Sequence, residues 1–209
     1  MSVYLTNIRT QFAPPINMQF QKAKAFILDK LEKELPKELT YHTLAHVNDV
    51  CSAAENIASL ERVDEYEMKL LLTGALFHDA GFISGPDCHE EESCRIAARY
   101  LPGYNYSPEE IDRVCGIIMA TKIPQSPKNH LEEIICDADL DYLGRDDFFP
   151  ISDGLRTEFT NAGLVNNEND WNKLQVKFFG HHHFFTKTAI ELRKQKKEQH
   201  LAIIKSKIT

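Results

Sequence analysis

Apolar residues along this 209-residue chain recur at intervals of three and four almost from end to end. No run alternates apolar and polar positions through β-branched residues. Side chains three and four apart share one face of an α-helix, whereas a half-buried strand needs a period of two. The chain is therefore expected to be all-α. Phe20, Ala23, Phe26, Ile27 and Leu31 form a first stripe, opening after Pro14-Pro15 and ended by Pro36. Thr40 is expected to cap a second helix over about 41–60. A third is expected over about 64–80, with Met68, Leu71, Leu72, Ala75 and Leu76 along one side and Gly81 as its stop. Another runs from Glu90 to Leu101. Ser107-Pro108-Glu109-Glu110 is a full start signal, a capping box with proline at the first helical position, for a helix to about Lys122. Further helices are expected over about 130–142, from a Ser152 cap to Ala162, from Asp170 to Gly180, and from a Thr186 cap to about Lys207.

A chain of this length fills one well-cored domain and would cramp a second. No internal repeat or Ser/Gly linker divides it. The expected architecture is thus a single-domain helical bundle over 1–209. Its motif-bearing core lies at about 40–143, and the helices over about 152–207 pack on it.

The formal net charge of −7 argues against nucleic acid or an anionic membrane as the main partner. No stretch approaches the roughly 18–20 apolar residues of a membrane span, and no secretory leader is visible after Met1. Cys51, Cys88, Cys94, Cys115 and Cys136 are odd in number and form no Cys-x-x-Cys pair, so reduced thiols in the cytoplasm are expected. Charge is unevenly placed. From Thr186 onward Lys187, Arg193, Lys194, Lys196, Lys197, Lys205 and Lys207 oppose only Glu191 and Glu198, a local +5 that leaves −12 on the remainder. Two readings stand: a solvated helix face packed on an acidic body, or a positive rim for a phosphate-bearing substrate.

Three short stretches carry the chemistry: Tyr41-His42-Thr43-Leu44-Ala45-His46-Val47, Phe77-His78-Asp79-Ala80-Gly81 and Cys136-Asp137-Ala138-Asp139-Leu140. His42 and His46 are four apart, which on one helix sets them on one face among apolar neighbours. His78-Asp79 closes the apolar run Leu70–Phe77. An ionised aspartate there is costly unless paired or bound to metal, and the negative end of the helix dipole disfavours it further. Asp139, behind Ile134-Ile135, meets the same objection. A divalent cation removes it in both places. Imidazole nitrogen with carboxylate suits Mn, Fe, Zn, Co, Ni or Mg, one or two ions per site, with positions left open for water. Such an ion lowers the pKa of its water and supplies hydroxide near neutral pH, and Asp79 could bridge a pair.

The order His, His-Asp, Asp on an all-α scaffold resembles the HD-domain metal-dependent phosphohydrolases. The stretch from Tyr41 to Val47 also resembles the tyrosine–histidine–asparagine-x-x-histidine stretch of the class I cyclic-nucleotide phosphodiesterases. The resemblance covers roughly residues 40–143. It implies a bundle of HD-domain type, with His46, His78, Asp79 and Asp139 as metal ligands and His42 as the acid that protonates the leaving oxygen. Ala138-Asp139-Leu140 resembles the stretch around the family's last ligand; Asp137 remains the alternative. His89-Glu90 matches a histidine–glutamate found at about this place in many HD domains. It either serves a second metal or the substrate, or simply opens a helix with acids favoured by the dipole.

Further substrate contacts are expected from Lys122, which otherwise is a surface lysine at a helix end, and from Lys187 and Arg193 on the basic segment. Three successive histidines cannot share a helix face, so His181-His182-His183 is expected in a loop, with His183 lining a pocket together with Phe184. The implied function is hydrolysis of a phosphate ester of a nucleotide or other small metabolite by a metal-activated hydroxide. Alternatives are a cyclic-nucleotide phosphodiesterase, a non-catalytic nucleotide-sensing module that keeps its metal, and a di-iron oxygenase. The expected partner is a small-molecule phosphate ester, with neither nucleic acid nor membrane, and a homo-oligomer is left open.

Overall fold

The architecture was read from a computed structural model that describes residues 18–209. The expectations for Pro14-Pro15 and for the segment after Met1 fall outside these residues. The described residues form nine α-helices and no strand. The helices are α1 (Phe20–Glu34), α2 (Leu44–Leu60), α3 (Glu65–Phe77), α4 (His89–Tyr100), α5 (Pro108–Ala120), α6 (His130–Asp139), α7 (Phe148–Asn161), α8 (Glu168–His181) and α9 (Lys187–Ser206). Short 3₁₀ turns follow α3, α4 and α6.

Helix α3 is the axis. It buries Leu70, Leu71, Thr73, Gly74, Ala75, Leu76 and Phe77, nearly its whole C-terminal half. A helix apolar on every side has to be surrounded, and α1, α2, α4, α5 and α6 all pack against it. Helix α2 also lies along α6, and the 3₁₀ turn Asp141–Gly144 packs against α9. One apolar cluster runs continuously from Ile27 on α1 through Ile57, Phe77 and Ile134 to Phe148 and Ile204.

Several boundaries differ from the sequence expectation, each for a local reason. The Ser107 capping box forms as read, with Glu110 reaching back to the Ser107 N–H. Helix α2 is capped by Thr43 rather than Thr40, whose hydroxyl instead donates to the Gly154 carbonyl. His42 therefore precedes the helix and does not share a helical face with His46. Helix α3 stops at Phe77, and Gly81 sits inside the following 3₁₀ turn rather than acting as a helix stop. Helix α7 begins at Phe148, since Pro150 falls in the first turn, where proline costs little. Ser152 is then buried and donates to Gln175 Oε1 at 2.9 Å. Asn167 caps α8 three residues before Asp170, and α8 continues through His181. Thr186 caps α9 as expected, and Gly163 takes the positive φ of 71° that its place behind α7 requires.

Candidate metal centre

Three helix ends converge on one point. The first turn of α2 presents His46, the end of α3 presents His78 and Asp79, and the last residue of α6 is Asp139. Donor atoms of His46, His78 and Asp139 all lie within 4.8 Å of one another, and Asp79 adjoins the two imidazoles. His46 Nε2 stands 3.2 Å from Asp139 Oδ1 and 3.4 Å from Asp79 Oδ2. His78 Nε2 stands 3.2 Å from Asp79 Oδ2 and 3.5 Å from Asp139 Oδ1. The two Nε2 atoms are 3.3 Å apart.

That spacing suits a divalent ion. Ligands about 2.0–2.2 Å from a common ion lie roughly 3–3.5 Å from one another. The orientation suits it as well. His78 Nδ1 donates to the Ala75 carbonyl at 2.8 Å, so the lone pair of the neutral ring is left on Nε2. The negative ends of α3 and α6 add to the two carboxylates and favour a cation between them.

The ionisation pattern follows from the same crowding. Burial alone would raise the Asp79 carboxyl, but the His78 imidazole, followed by His42 and His46, holds it far below the usual range. Asp139 is likewise raised by burial and drawn down further by His46 and His78. Burial would lower His78; Asp79 and Asp139 outweigh it and push it well up. Protons on the imidazoles and a shared cation are competing answers to the same two negative charges.

Asp137 faces elsewhere. Its carboxylate accepts from Phe185 N and Thr186 N, each at 2.8 Å, and from the Thr186 hydroxyl at 2.7 Å. Residues two apart on a helix do not face the same way, so α6 points Asp139 at the imidazoles and uses Asp137 to hold the turn before α9. Burial pushes Asp137 up to about 6 in spite of these donors.

Around the cluster stands a second ring of side chains. His42 stacks on Phe82 with ring centres 4.0 Å apart, 6.2 Å from the His46 ring. Its Nδ1 lies 2.6 Å from Glu158 Oε2. Glu158 Oε1 also accepts from the backbone N–H of Thr40, Tyr41 and His42 at 2.7, 2.6 and 3.1 Å. Burial would raise the Glu158 carboxyl, and the His42 contact outweighs it and draws it down. On the other side His89 Nε2 lies 3.6 Å from Asp79 Oδ1, with its ring against Phe82.

The remaining expected substrate contacts divide. Lys122 pairs with Glu91 on the first turn of α4, beside His89. Lys187 is exposed, pairs with Glu191, and lies near Glu61 just beyond α2. The 1.5 Å rise per residue separates that end of α2 from His46 by roughly 20 Å. Arg193 is engaged structurally, its Nε donating to the buried Asp141 at 2.7 Å. Of the three histidines, His181 closes α8, its Nδ1 on the Lys177 carbonyl at 2.7 Å, and only His182 and His183 leave the helix. His183 and Phe184 line a cleft against α9 rather than joining the donor cluster. Glu158 and Phe82 were not singled out from sequence. Glu158 lies 116 residues from His42 and has no motif of its own, while Phe82 reads locally as one more apolar residue after the His-Asp pair.

The all-helical fold recurs among solved structures. Among solved structures the chain is similar to Bacillus subtilis YpgQ in complex with ADP, at 22% identity over 90% of this chain and 95% of that one, with a TM-score of 0.63. A further structure of YpgQ matches at 20% identity over 90% and 95%, with a TM-score of 0.64. A predicted HD superfamily hydrolase from an uncultured Thermotogales bacterium matches at 19% identity over 89% of each chain, with a TM-score of 0.59. No protein-family model matches the sequence, and no curated protein does. All five cysteines are free thiols, and no helix among the described residues is long and apolar enough to cross a membrane.

Proposed function

We propose that this protein is a metal-dependent phosphohydrolase that cleaves a phosphate ester of a nucleotide or similar small metabolite in the cytoplasm. The observation that carries the reading is the convergence of His46, His78, Asp79 and Asp139 from three helix ends, with His42 poised beside them. His46, His78, Asp79 and Asp139 would hold the divalent cation. Bound there, it would supply Lewis-acid activation of water and neutralise charge on the phosphoryl group.

The chain's own residues account for the rest. His42 donates the proton to the departing oxygen, which removes the cost of expelling an alkoxide. Glu158 holds the His42 ring by Nδ1 and ties down the backbone on which it is mounted. Phe82 packs between the rings of His42 and His89 and keeps both in register. Asp79 turns one oxygen to the imidazole pair and the other to His89, an arrangement suited to a second ion or to a substrate phosphate. Lys122, paired with Glu91 on the turn that carries His89, would meet a distal phosphate. The nucleotide class is supported by the similarity in fold to a protein seen with ADP.

A product screen tests this. Purified protein is loaded with Mn, Mg, Co or Ni and offered nucleoside mono-, di- and triphosphates, cyclic nucleotides and sugar phosphates. Turnover on one class, lost in Asp79→Asn, is the expected result. Nucleotide binding without turnover would make it a sensor. Bound iron with no phosphate ester consumed would make it an oxygenase.

A further inference from the structure

Away from the donor cluster, the end of α8, residues 182–184 and α9 enclose a cleft of about 410 Å³. That volume lies within the range of small-molecule sites. Its inner wall is unusual in carrying a buried lysine. Lys197 is only 8% exposed, and its Nζ sits 5.7 Å from the ring centres of both Phe179 and Phe184. Of its three N–H groups, one goes to the His182 carbonyl. The His182 ring lies alongside, packed on Phe178 and edge-on to Phe184. Neither His182 ring nitrogen has a hydrogen-bond partner in the protein, and both are shut off from solvent. Lys194 stands exposed at the mouth, with Glu198 on the same rim.

We propose that this cleft is a second ligand site, distinct from the metal centre, for a small organic anion with an aromatic or apolar body. The anionic group meets Lys197 and Lys194. The body lies against Phe179 and Phe184. The apolar walls explain why a bare inorganic ion is a poor match, because it would leave the phenyl faces without a partner. Burial, with Lys197 and His183 adding to it and Asp139 opposing, pushes the His182 imidazole down to about 3, so it places no further charge on the wall. No lining residue belongs to the donor cluster. The turn before α9, which Asp137 holds, joins the two regions.

Titration of the whole chain with anilinonaphthalene sulfonate, an aromatic anion that fluoresces on entering an apolar site, tests the proposal. One saturable site is expected, displaced by benzoate and not by inorganic phosphate at equal ionic strength. Lys197→Met weakens it about ten- to a hundredfold, the usual loss of a hydrogen bond to a charged group. Lys187→Met, on the same basic helix, changes nothing. Should Lys197→Met fail to melt cooperatively, Lys194→Met at the rim carries the test, with a loss of about threefold. Binding that survives both substitutions, or falls equally in Lys187→Met, overturns the proposal. Displacement by ADP with Mn overturns the separation from the metal centre. Failure of the phosphohydrolase screen bears on neither result.

Discussion

Gly81 is the most exacting position in the His-Asp stretch, and Gly81→Ala probes it directly. A methyl group there would meet the His89 carbonyl oxygen at 2.0 Å and the His89 Cα at 2.8 Å, where ordinary contact begins at 3.4 Å. The first turn of α4 has to retreat by roughly 1.4 Å, since backbone cannot rotate aside as a side chain can. The same turn is pinned through Ser93, whose Oγ accepts from Gly81 N at 2.8 Å and donates to the His78 carbonyl at 2.7 Å. Ser93 is fully buried, so a retreat stretches both bonds with no water to replace them. Overpacking costs about 1–3 kcal/mol and each of the two weakened buried bonds about 1 kcal/mol, giving about 3–5 kcal/mol in all. For a chain of this length that lowers Tm by roughly 6–20 °C. The retreat also carries His89 away from Asp79 and loosens His78 and Asp79 themselves. Calorimetry paired with metal content by mass spectrometry is the assay. A Tm within about 1 °C of the parent together with unchanged metal content would refute the packing of α4 on the 3₁₀ turn, and with it this account of how the pair is held.

Other expected outcomes follow from the same geometry. His46→Ala, Asp79→Asn and Asp139→Asn should each lose bound divalent metal, whereas Asp137→Asn should keep it and instead loosen the turn before α9, read as faster hydrogen exchange at Phe185 and Thr186. His42→Ala should retain metal while kcat falls by about 10²–10⁴, the range for a lost proton donor; lost metal would mean that His42 has been given the wrong role. Glu158→Gln should lower kcat far more than it raises KM, and should move the acid limb of the pH profile, which a purely structural residue would leave in place. Because Glu158 is held below the ordinary carboxylate range, its stabilisation is present above that range and is lost as pH falls through its lowered pKa. In Glu158→Gln that acid-side loss in denaturant midpoint should shrink. Lys197 gives a pH slope of the same sign for a different reason, because here the folded state is penalised at low pH by a buried charge. Burial draws it from 10.5 down to about 8, so between those values the unfolded chain binds the proton that the folded chain has released. Stability should therefore rise through that window as pH increases, and Lys197→Met should flatten the rise.

The helices were legible because their signals are local. The Ser107 capping box, the Thr186 cap and the apolar spacing of α3 each lie within a few residues of what they determine. The boundaries that differed were those where two local signals competed. Thr40 and Thr43 both offer a capping hydroxyl, and only the Gly154 carbonyl, more than a hundred residues away, takes Thr40 out of contention. His42 illustrates the consequence. Its spacing from His46 suggested a shared helical face, yet it reaches the same neighbourhood from a turn, held there by Glu158 on α7. The basic residues of α9 misled for a related reason. A string of cations predicts a positive surface but not its orientation, and Arg193 is drawn inward by the buried Asp141 while Lys187 faces solvent.

Periodicity, caps and the energetic awkwardness of aspartates at the ends of apolar helices are written in the order of residues. They marked an all-helical chain and the donors from which a metal centre would be built. Which donors meet is a matter of how α2, α3 and α6 pack. That packing turns Asp139 toward the imidazoles and Asp137 toward Thr186, brings Glu158 to His42, and leaves Lys197 between two phenyl rings. Local patterns record where a side chain sits on its own helix, whereas its partner across the bundle is chosen only when apolar faces far apart in the chain are buried against one another.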